Sequence, residues 1–484
     1  MSANVTRVID KFELVSRIPR CSRNEDRIRE WLIQWADGLN FAHQADGAGN
    51  LVVRVPPSQG CEHAPVVVLQ GHMDMVCEKT PDAVHDFNRD PIRLSPSDEW
   101  LTAEGTTLGA DNGIALALAM AVSEDPSIHH GPLDLLFTVD EESGLTGADR
   151  LDPAIVRGRV LLNLDSEDEG VFTIGCAGGE EFRIRYDVQR TALPASSRPW
   201  NLRIGGLRGG HSGVDVHKPR ENANRLLIRI LDAVTAVDGV RLVELTGGSA
   251  HNAIPRDAGA RLLCGAASED AFRAAVHRCR DMFRSESLDI EPGLIVELEN
   301  AGEAAADRPI EPESARRLLN MLNALPHGVS RMSTAVEGLV ETSNNLAVIR
   351  TEGESVLVTT SQRSSAPSRL EELSASIRAV AALAGASVTT VNRYPAWQPE
   401  ADSDLLDTCR RIYRGLFERE PVVEVIHAGL ECGIIGAKLP GMKMISFGPT
   451  IRHPHSPEES LHLPSVGRVY DFLAHLLADL AGMD

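Results

Sequence analysis

Val66-Val67-Val68-Leu69-Gln70-Gly71-His72-Met73-Asp74-Met75 is the stretch that decides the fold. Val66 to Leu69 form a short, unbroken apolar run rich in β-branched residues, which fits a strand buried on both faces, as in a parallel sheet. Leu133 to Val139 and Val160 to Leu164 read the same way. Between the first two runs lies an Ala/Leu-rich stretch, Gly113 to Glu124, that suits a crossover helix. Strand, helix, strand in this order predicts an α/β sheet. Upstream, Val5, Val8, Ile9, Phe12 and Val15 share one face at helical spacing and predict an opening core helix. Pro56-Pro57 and Gly60 then break the chain.

The texture changes after about Gly179. Phe182 to Val188 alternates apolar and polar residues, as a half-exposed antiparallel strand does. A helix is expected over Asn222 to Val237, a strand at Val356 to Val358 and a helix over Arg369 to Ala384. From about Arg393 the α/β texture returns and ends in a helix around Val469 to Leu480. No tandem repeat is visible. The fold class expected is α/β, a mostly parallel sheet flanked by helices, interrupted by an inserted α+β domain. Residues 1–180 and 393–484 form the first domain in two parts, and 181–392 form the insertion. A chain of 484 residues exceeds one ordinary core, which agrees with two domains.

Composition excludes several classes of function. A formal net charge of −21 repels nucleic-acid phosphates, so no nucleic-acid partner is expected. No apolar run reaches the length of a bilayer span. Arg7, Asp10, Lys11 and Glu13 interrupt the N-terminus, so it lacks a signal-peptide core. Eight scattered cysteines without a Cys-x-x-Cys pair argue against a disulfide framework and against a thiolate zinc site. A reduced, cytoplasmic setting is expected.

Five short segments carry chemistry, and four of them fall where a predicted strand ends, the usual ligand position in open α/β sheets. Gly71-His72-Met73-Asp74 places His72 and Asp74 on one side of a strand. His72 can bind a metal while a nearby carboxylate orients its ring. Asp111, in Leu108-Gly109-Ala110-Asp111-Asn112-Gly113, sits at the mouth of the Ala-rich helix, where an N-cap and a bridging carboxylate are both open. Asp140-Glu141-Glu142 packs three acids at a strand end, which is costly unless cations neutralise them. Asn163-Leu164-Asp165 is another apolar run ending in acid, and Arg452-His453-Pro454-His455-Ser456-Pro457 adds two histidines. An imidazole and carboxylate set without thiolates suits zinc, cobalt or manganese, and a catalytic rather than a structural site.

In this order, the five segments resemble the di-zinc peptidase family that includes carnosinases, glutamate carboxypeptidase and cytosolic dipeptidases, over almost the whole chain. Further stretches are similar to the family's aminoacyl-histidine dipeptidase branch. They are Gly209-Gly210-His211-Ser212-Gly213, Asn222-Ala223-Asn224, Asn252-Ala253-Ile254-Pro255-Arg256, Tyr394-Pro395-Ala396-Trp397-Gln398-Pro399 and His427-Ala428-Gly429-Leu430-Glu431-Cys432-Gly433.

The resemblance implies two divalent metal ions per chain, zinc first and cobalt or manganese as alternatives. His72 and Asp165 would hold one ion, Glu142 and His455 the other, and Asp111 would bridge them. Asp74 would orient His72, and Glu141 would act as general base on a water shared by the metals. His453 would be a surface neighbour, and the Asp111–Asn112 peptide would be cis. The inserted domain would be a lid in which His211 reaches the scissile carbonyl and Arg363 holds the substrate carboxylate. Asn252 is an expected polar contact, and Glu431 an expected partner of the substrate's amino group. The implied activity is hydrolysis of dipeptides, Xaa-His and broader, by a homodimer. An N-acyl-amino-acid deacylase and an inactive binding protein are the alternatives.

Overall fold

The computed structural model describes residues 2–194, 197–302, 308–334, 338–400 and 402–482. The chain divides into two compact units. The first comprises Met1–Cys176, Trp397–Val425 and Leu430–Asp484; the second comprises Ala177–Ala396 and the short return Ile426–Gly429.

The first unit is built on an eight-stranded sheet. Its centre runs Leu133–Thr138, Val67–His72, Val160–Asn163, Lys443–Ser446, and these strands are parallel. The flanking strands Leu51–Val55, Ala42–Ala45 and Val171–Cys176 pair antiparallel. Val67–His72 and Leu133–Thr138 are buried along their whole length, which explains why they read as continuous apolar runs rather than as alternation. The Ala-rich helix packs close to Val67–His72 because Gly71 has no side chain. A methyl group there would lie 2.5 Å from Asn112 Oδ1 and 2.6 Å from Ala115 Cβ. Asp111 and Asn112 are non-helical, so the regular helix begins after them, and the peptide joining them is cis. Helices Ala3–Ser16 and Leu463–Leu480 occupy the expected terminal stretches. Among the described residues, no helix is long and apolar enough to cross a membrane.

The cysteines require a correction. Cys21 and Cys77, 56 residues apart, form a disulfide, while the other six cysteines are free and buried. Spacing alone could not reveal the pair, because the chain brings the two Cα atoms within 5.7 Å only once it has folded.

The second unit contains a repeat that the sequence does not show. Eight strands form the main path of its nine-stranded sheet: β1 (Gly178–Asp187), β2 (Ser197–Gly205), β3 (Val240–Gly247), β4 (Ala258–Gly265), β5 (Ile295–Asn300), β6 (Val340–Glu352), β7 (Ser355–Ser364) and β8 (Ser387–Tyr394); the ninth, Gly328–Met332, pairs with β6 off that path. Its helices are α1 (Ala223–Thr235), α2 (Glu269–Ser287), α3 (Pro312–Ala324) and α4 (Pro367–Ala384). Across the sheet the order is β5-β2-β4-β3-β6-β7-β1-β8. β2-α1-β3-β4-α2-β5 is one βαββαβ motif; β1-α3-β6-β7-α4-β8 is a second with the same internal strand order. They join antiparallel through β3 and β6, equivalent strands of the two copies. The first copy is inserted after β1 of the second, so the repeat is nested rather than tandem. Leu226, Leu227, Phe272, Val276, Leu318, Leu322 and Ile377 from the four helices share one core with the sheet. Asn222 caps α1 by accepting from the backbone N–H groups of Asn224 and Arg225.

Candidate active site

The first unit brings all five expected metal-site residues together. Asp111 offers one carboxylate oxygen to each imidazole: Oδ1 is 3.2 Å from His72 Nε2, and Oδ2 is 3.1 Å from His455 Nε2. Asp165 Oδ1 lies 3.5 Å from His72 Nε2, and Glu142 Oε2 lies 3.0 Å from His455 Nε2. His72, Asp111 and Asp165 make one cluster; Asp111, Glu142 and His455 make a second, with donor atoms within 4.8 Å of one another in each. Ligand atoms on one tetrahedral zinc stand about 3.3 Å apart, given metal–ligand bonds of about 2.0–2.2 Å. The two sets fit two divalent ions sharing Asp111. Glu142 Oε1 supports this fit, since it is buried with no partner in the protein.

Three side chains that sequence reading missed hold this array. Asn112 Oδ1 accepts the backbone N–H of His72 at 3.2 Å, and its Nδ2 donates to the Leu164 carbonyl at 3.0 Å, tying two ligand-bearing strands together. Glu459 accepts the backbone N–H groups of Leu108, Gly109 and Asp111 and so fixes the Asp111 turn. Arg20, 1% exposed, donates to the carbonyls of Met73, Asp74 and Gly109. The sequence carried a faint signal for Glu459, an acid four residues after His455, and none for Arg20.

Asp74 is fully buried, with Oδ1 3.3 Å from His72 Nδ1. It also accepts the Ser22 hydroxyl and the backbone N–H groups of Glu141 and Glu142. This arrangement keeps the His72 Nδ1 proton on the Asp74 side and leaves Nε2 for the cluster. Glu431 is 1% exposed, and its Oε2 accepts from Gln70 and Thr138 at 2.6 and 2.7 Å. Its Oε1 is buried with no partner in the protein. Through Oε2, Glu431 heads a buried polar row that continues through Gln70, Asn163 and Ser446.

In the second unit, His211 Nδ1 accepts the backbone N–H groups of Gly213 and Val214 at 3.3 and 3.1 Å. A neutral ring bonded this way carries its proton on Nε2 and presents one outward donor. Asn252 lies on the neighbouring turn; its carbonyl accepts the Ser212 N–H, and its side chain is exposed. Arg363 is buried on β7, donating from Nη1 to Tyr394 Oη at 2.9 Å. His453 is exposed in the first unit and belongs to neither metal cluster.

Residues 68–479 match the model of peptidase family M20/M25/M40. The chain belongs to this family. It is 39% identical over 97% of its length to the cytosol non-specific dipeptidase of Escherichia coli, covering 97% of that protein. The solved aminoacylhistidine dipeptidase of Vibrio alginolyticus superposes with a TM-score of 0.87 at 40% identity, over 99% of this chain and 98% of that one. The aminopeptidase PepT of Bacillus cereus shares the fold, with a TM-score of 0.57 at 15% identity over 99% of each chain.

The electrostatics of this M20 peptidase fit a cation site. Burial lowers the His72 pKa, yet Asp165, Asp111 and Asp74 outweigh it and raise the value well above the ordinary range. Hydrogen bonds to Asp111 and Glu142 push His455 up to about 11. Burial raises Asp165 to about 6 and lifts Glu141 well above the usual carboxylate range. Metal ligands of these types bind in their deprotonated forms, so raised values of this kind set protons and a divalent cation in competition for one cluster.

Proposed function

We propose that this M20 peptidase hydrolyses dipeptides with free carboxyl termini, using two divalent ions, zinc by preference, held by His72, Asp111, Asp165, Glu142 and His455. The observation that carries the reading is the pair of three-residue donor sets sharing Asp111, with Glu141 beside them as a spare acid. The relatives named as dipeptidases, matched over nearly the whole chain, support the substrate class.

Bound divalent ions supply Lewis acidity and make water a better nucleophile at neutral pH. Glu141 takes the proton from the attacking water and returns it to the leaving amine. Asp74 holds His72 and the Glu141 backbone in one arrangement. His211, neutral because burial and the Arg363 charge lower its pKa to about 4, donates from Nε2 to the oxyanion. Arg363 grips the substrate carboxylate, and Asn252 supplies a polar contact beside His211. We assign the second unit the role of a substrate-gripping lid, a homodimer as the assembly and the cytoplasm as the location; light scattering tests the homodimer.

The experiment is a panel of dipeptides and N-acetyl amino acids, assayed with and without chelator. Dipeptide turnover that chelation stops and zinc or cobalt restores is expected. Turnover of N-acetyl amino acids alone would replace the reading with a deacylase. No metal-dependent turnover of either class would leave a binding protein.

A further inference from the structure

His427 belongs to the four-residue return Ile426–Gly429 that the second unit receives from late in the chain. Its Nε2 lies 2.7 Å from Ser343 Oγ. Ser343 on β6 is the register partner of Arg363 on β7. Directly opposed residues of an antiparallel pair project from the same face with Cβ atoms about 4.5–5.5 Å apart. His427 is thereby carried to the flank of Arg363.

The row continues beyond Arg363. Gly179 on β1 is the next register partner, and Tyr394 on β8 follows it. A methyl group on Gly179 would fall 2.4 Å from the Tyr394 ring, so the missing side chain lets Tyr394 lie across to Arg363. Tyr394 Oη then accepts from Arg363 Nη1. Ser343, Arg363, Gly179 and Tyr394 thus form one line across four strands, with His427 resting on Ser343.

Two buried nitrogens in this line, Arg363 Nε and His427 Nδ1, make no hydrogen bond of normal geometry within the protein, although the Val340 backbone lies close enough to His427 to act on its ring. Both residues are more than nine-tenths buried. A buried donor without an acceptor is costly, and each such group calls for an explanation. When the Ser343 hydroxyl donates to Nε2, the neutral ring carries its proton on Nδ1. Burial and the Arg363 charge outweigh the opposing pull of the Val340 backbone, lower the pKa to about 3 and keep the ring neutral.

We propose that His427 is a specificity-determining residue that donates from Nδ1 to the substrate's terminal carboxylate beside Arg363, with Ser343 setting the tautomer. An anion there satisfies both lone donors, whereas a terminal amide, itself carrying N–H donors, matches them poorly. The inference rests on the dipeptidase reading and extends it to a second carboxylate-binding residue.

The test uses the full-length, metal-loaded protein with L-alanyl-L-alanine and its C-terminal amide. His427→Ala should raise KM for the free acid by roughly 10- to 100-fold, the range for a hydrogen bond to a charged group, while changing kcat little. The preference for acid over amide should fall by a similar factor. His427→Asn, whose Nδ2 can stand where Nδ1 stood, should recover much of that preference. His427→Gln, which can keep the Ser343 contact but lacks the Nδ1 donor, should not. Metal content and thermal unfolding check that each variant folds. An unchanged acid preference in folded His427→Ala would overturn the proposal, as would rescue by Gln rather than Asn. Absence of dipeptide turnover in the native chain would overturn the dipeptidase reading instead. Calorimetric binding of the same two compounds to the metal-loaded Glu141→Gln protein, with and without His427→Ala, would then still decide the carboxylate role.

Discussion

Asp74 Oδ1 accepts the backbone N–H of Glu141 at 3.0 Å, so the carboxylate beside His72 Nδ1 also anchors the loop bearing the proposed base. The Glu141 backbone is therefore held independently of its side chain. Glu141→Gln should keep both metal ions and the fold, and lower kcat by about 10²–10⁴, the usual worth of a positioned acid–base group. Metal analysis beside steady-state kinetics checks this. Near-native turnover in the fully loaded variant would remove the role.

Asp111 serves both donor sets, so its loss should not be a half-measure. Asp111→Ala should lower the metal content to one ion or none per chain and abolish turnover. Asp111→Asn should fall between native and alanine in metal content, because it keeps the size and one carbonyl oxygen but loses the charge. Two tightly held ions in the alanine variant would exclude bridging.

Metal uptake should release protons. In the metal-free protein, neighbouring carboxylates hold His72 protonated well above the ordinary range and His455 up to about 11. Ligands must lose protons to bind, so zinc loading at pH 7.5 should release on the order of two protons per chain into a weakly buffered indicator. The sign follows: apparent metal affinity falls as pH falls, because protons compete for the same nitrogens. Uptake with no proton release would mean that neither imidazole is a ligand.

The ligand segments were legible because apolar strands ending in acids or histidine conflict with simple packing. His72, Glu142 and Asp165 follow such strands, and the resemblance then proposed which acid is ligand and which is base. Asn112, Glu459 and Arg20 escaped because they act by bonding backbone groups distant in sequence; Glu459 holds turns about 350 residues away. The nested repeat escaped for another reason. Its copies share strand order rather than residues, and one interrupts the other. The motif around Glu431 shows an acid but not the walls around it. Gln70 and Thr138, which enclose it, read only as strand residues.

The Cys21–Cys77 bridge bears on where the protein works. Cytosolic reductants keep thiols open, whereas an oxidising setting closes such pairs. Protein extracted from a reducing cytosol straight into denaturant containing an alkylating agent should label at eight cysteines; oxidised protein treated the same way should label at six. Closing a separation of 56 residues is worth roughly 4 kcal/mol in the chain-entropy account, so the oxidised form should unfold at higher urea. Six labelled cysteines directly from the cell would overturn the cytoplasmic assignment.

His211 offers a test of catalysis separate from metal binding, because it belongs to neither donor set. Gly213 and Val214 fix its Nδ1 as an acceptor, leaving Nε2–H as its donor. An oxyanion donor acts chiefly in the transition state, so its loss should appear in kcat. His211→Ala should keep both metals and a nearly unchanged KM while kcat falls by roughly 10²–10³. His211→Gln can place an N–H near the Nε2 position and should recover part of the loss. Arg363→Ala supplies the contrast: a carboxylate present in substrate and transition state alike should register mainly in KM. The two variants should thus separate on a kcat-against-KM plot with one dipeptide. A His211→Ala protein with native kcat would reduce the glycine-rich turn to a structural element. A KM effect without a kcat effect would move His211 from the oxyanion to ground-state binding.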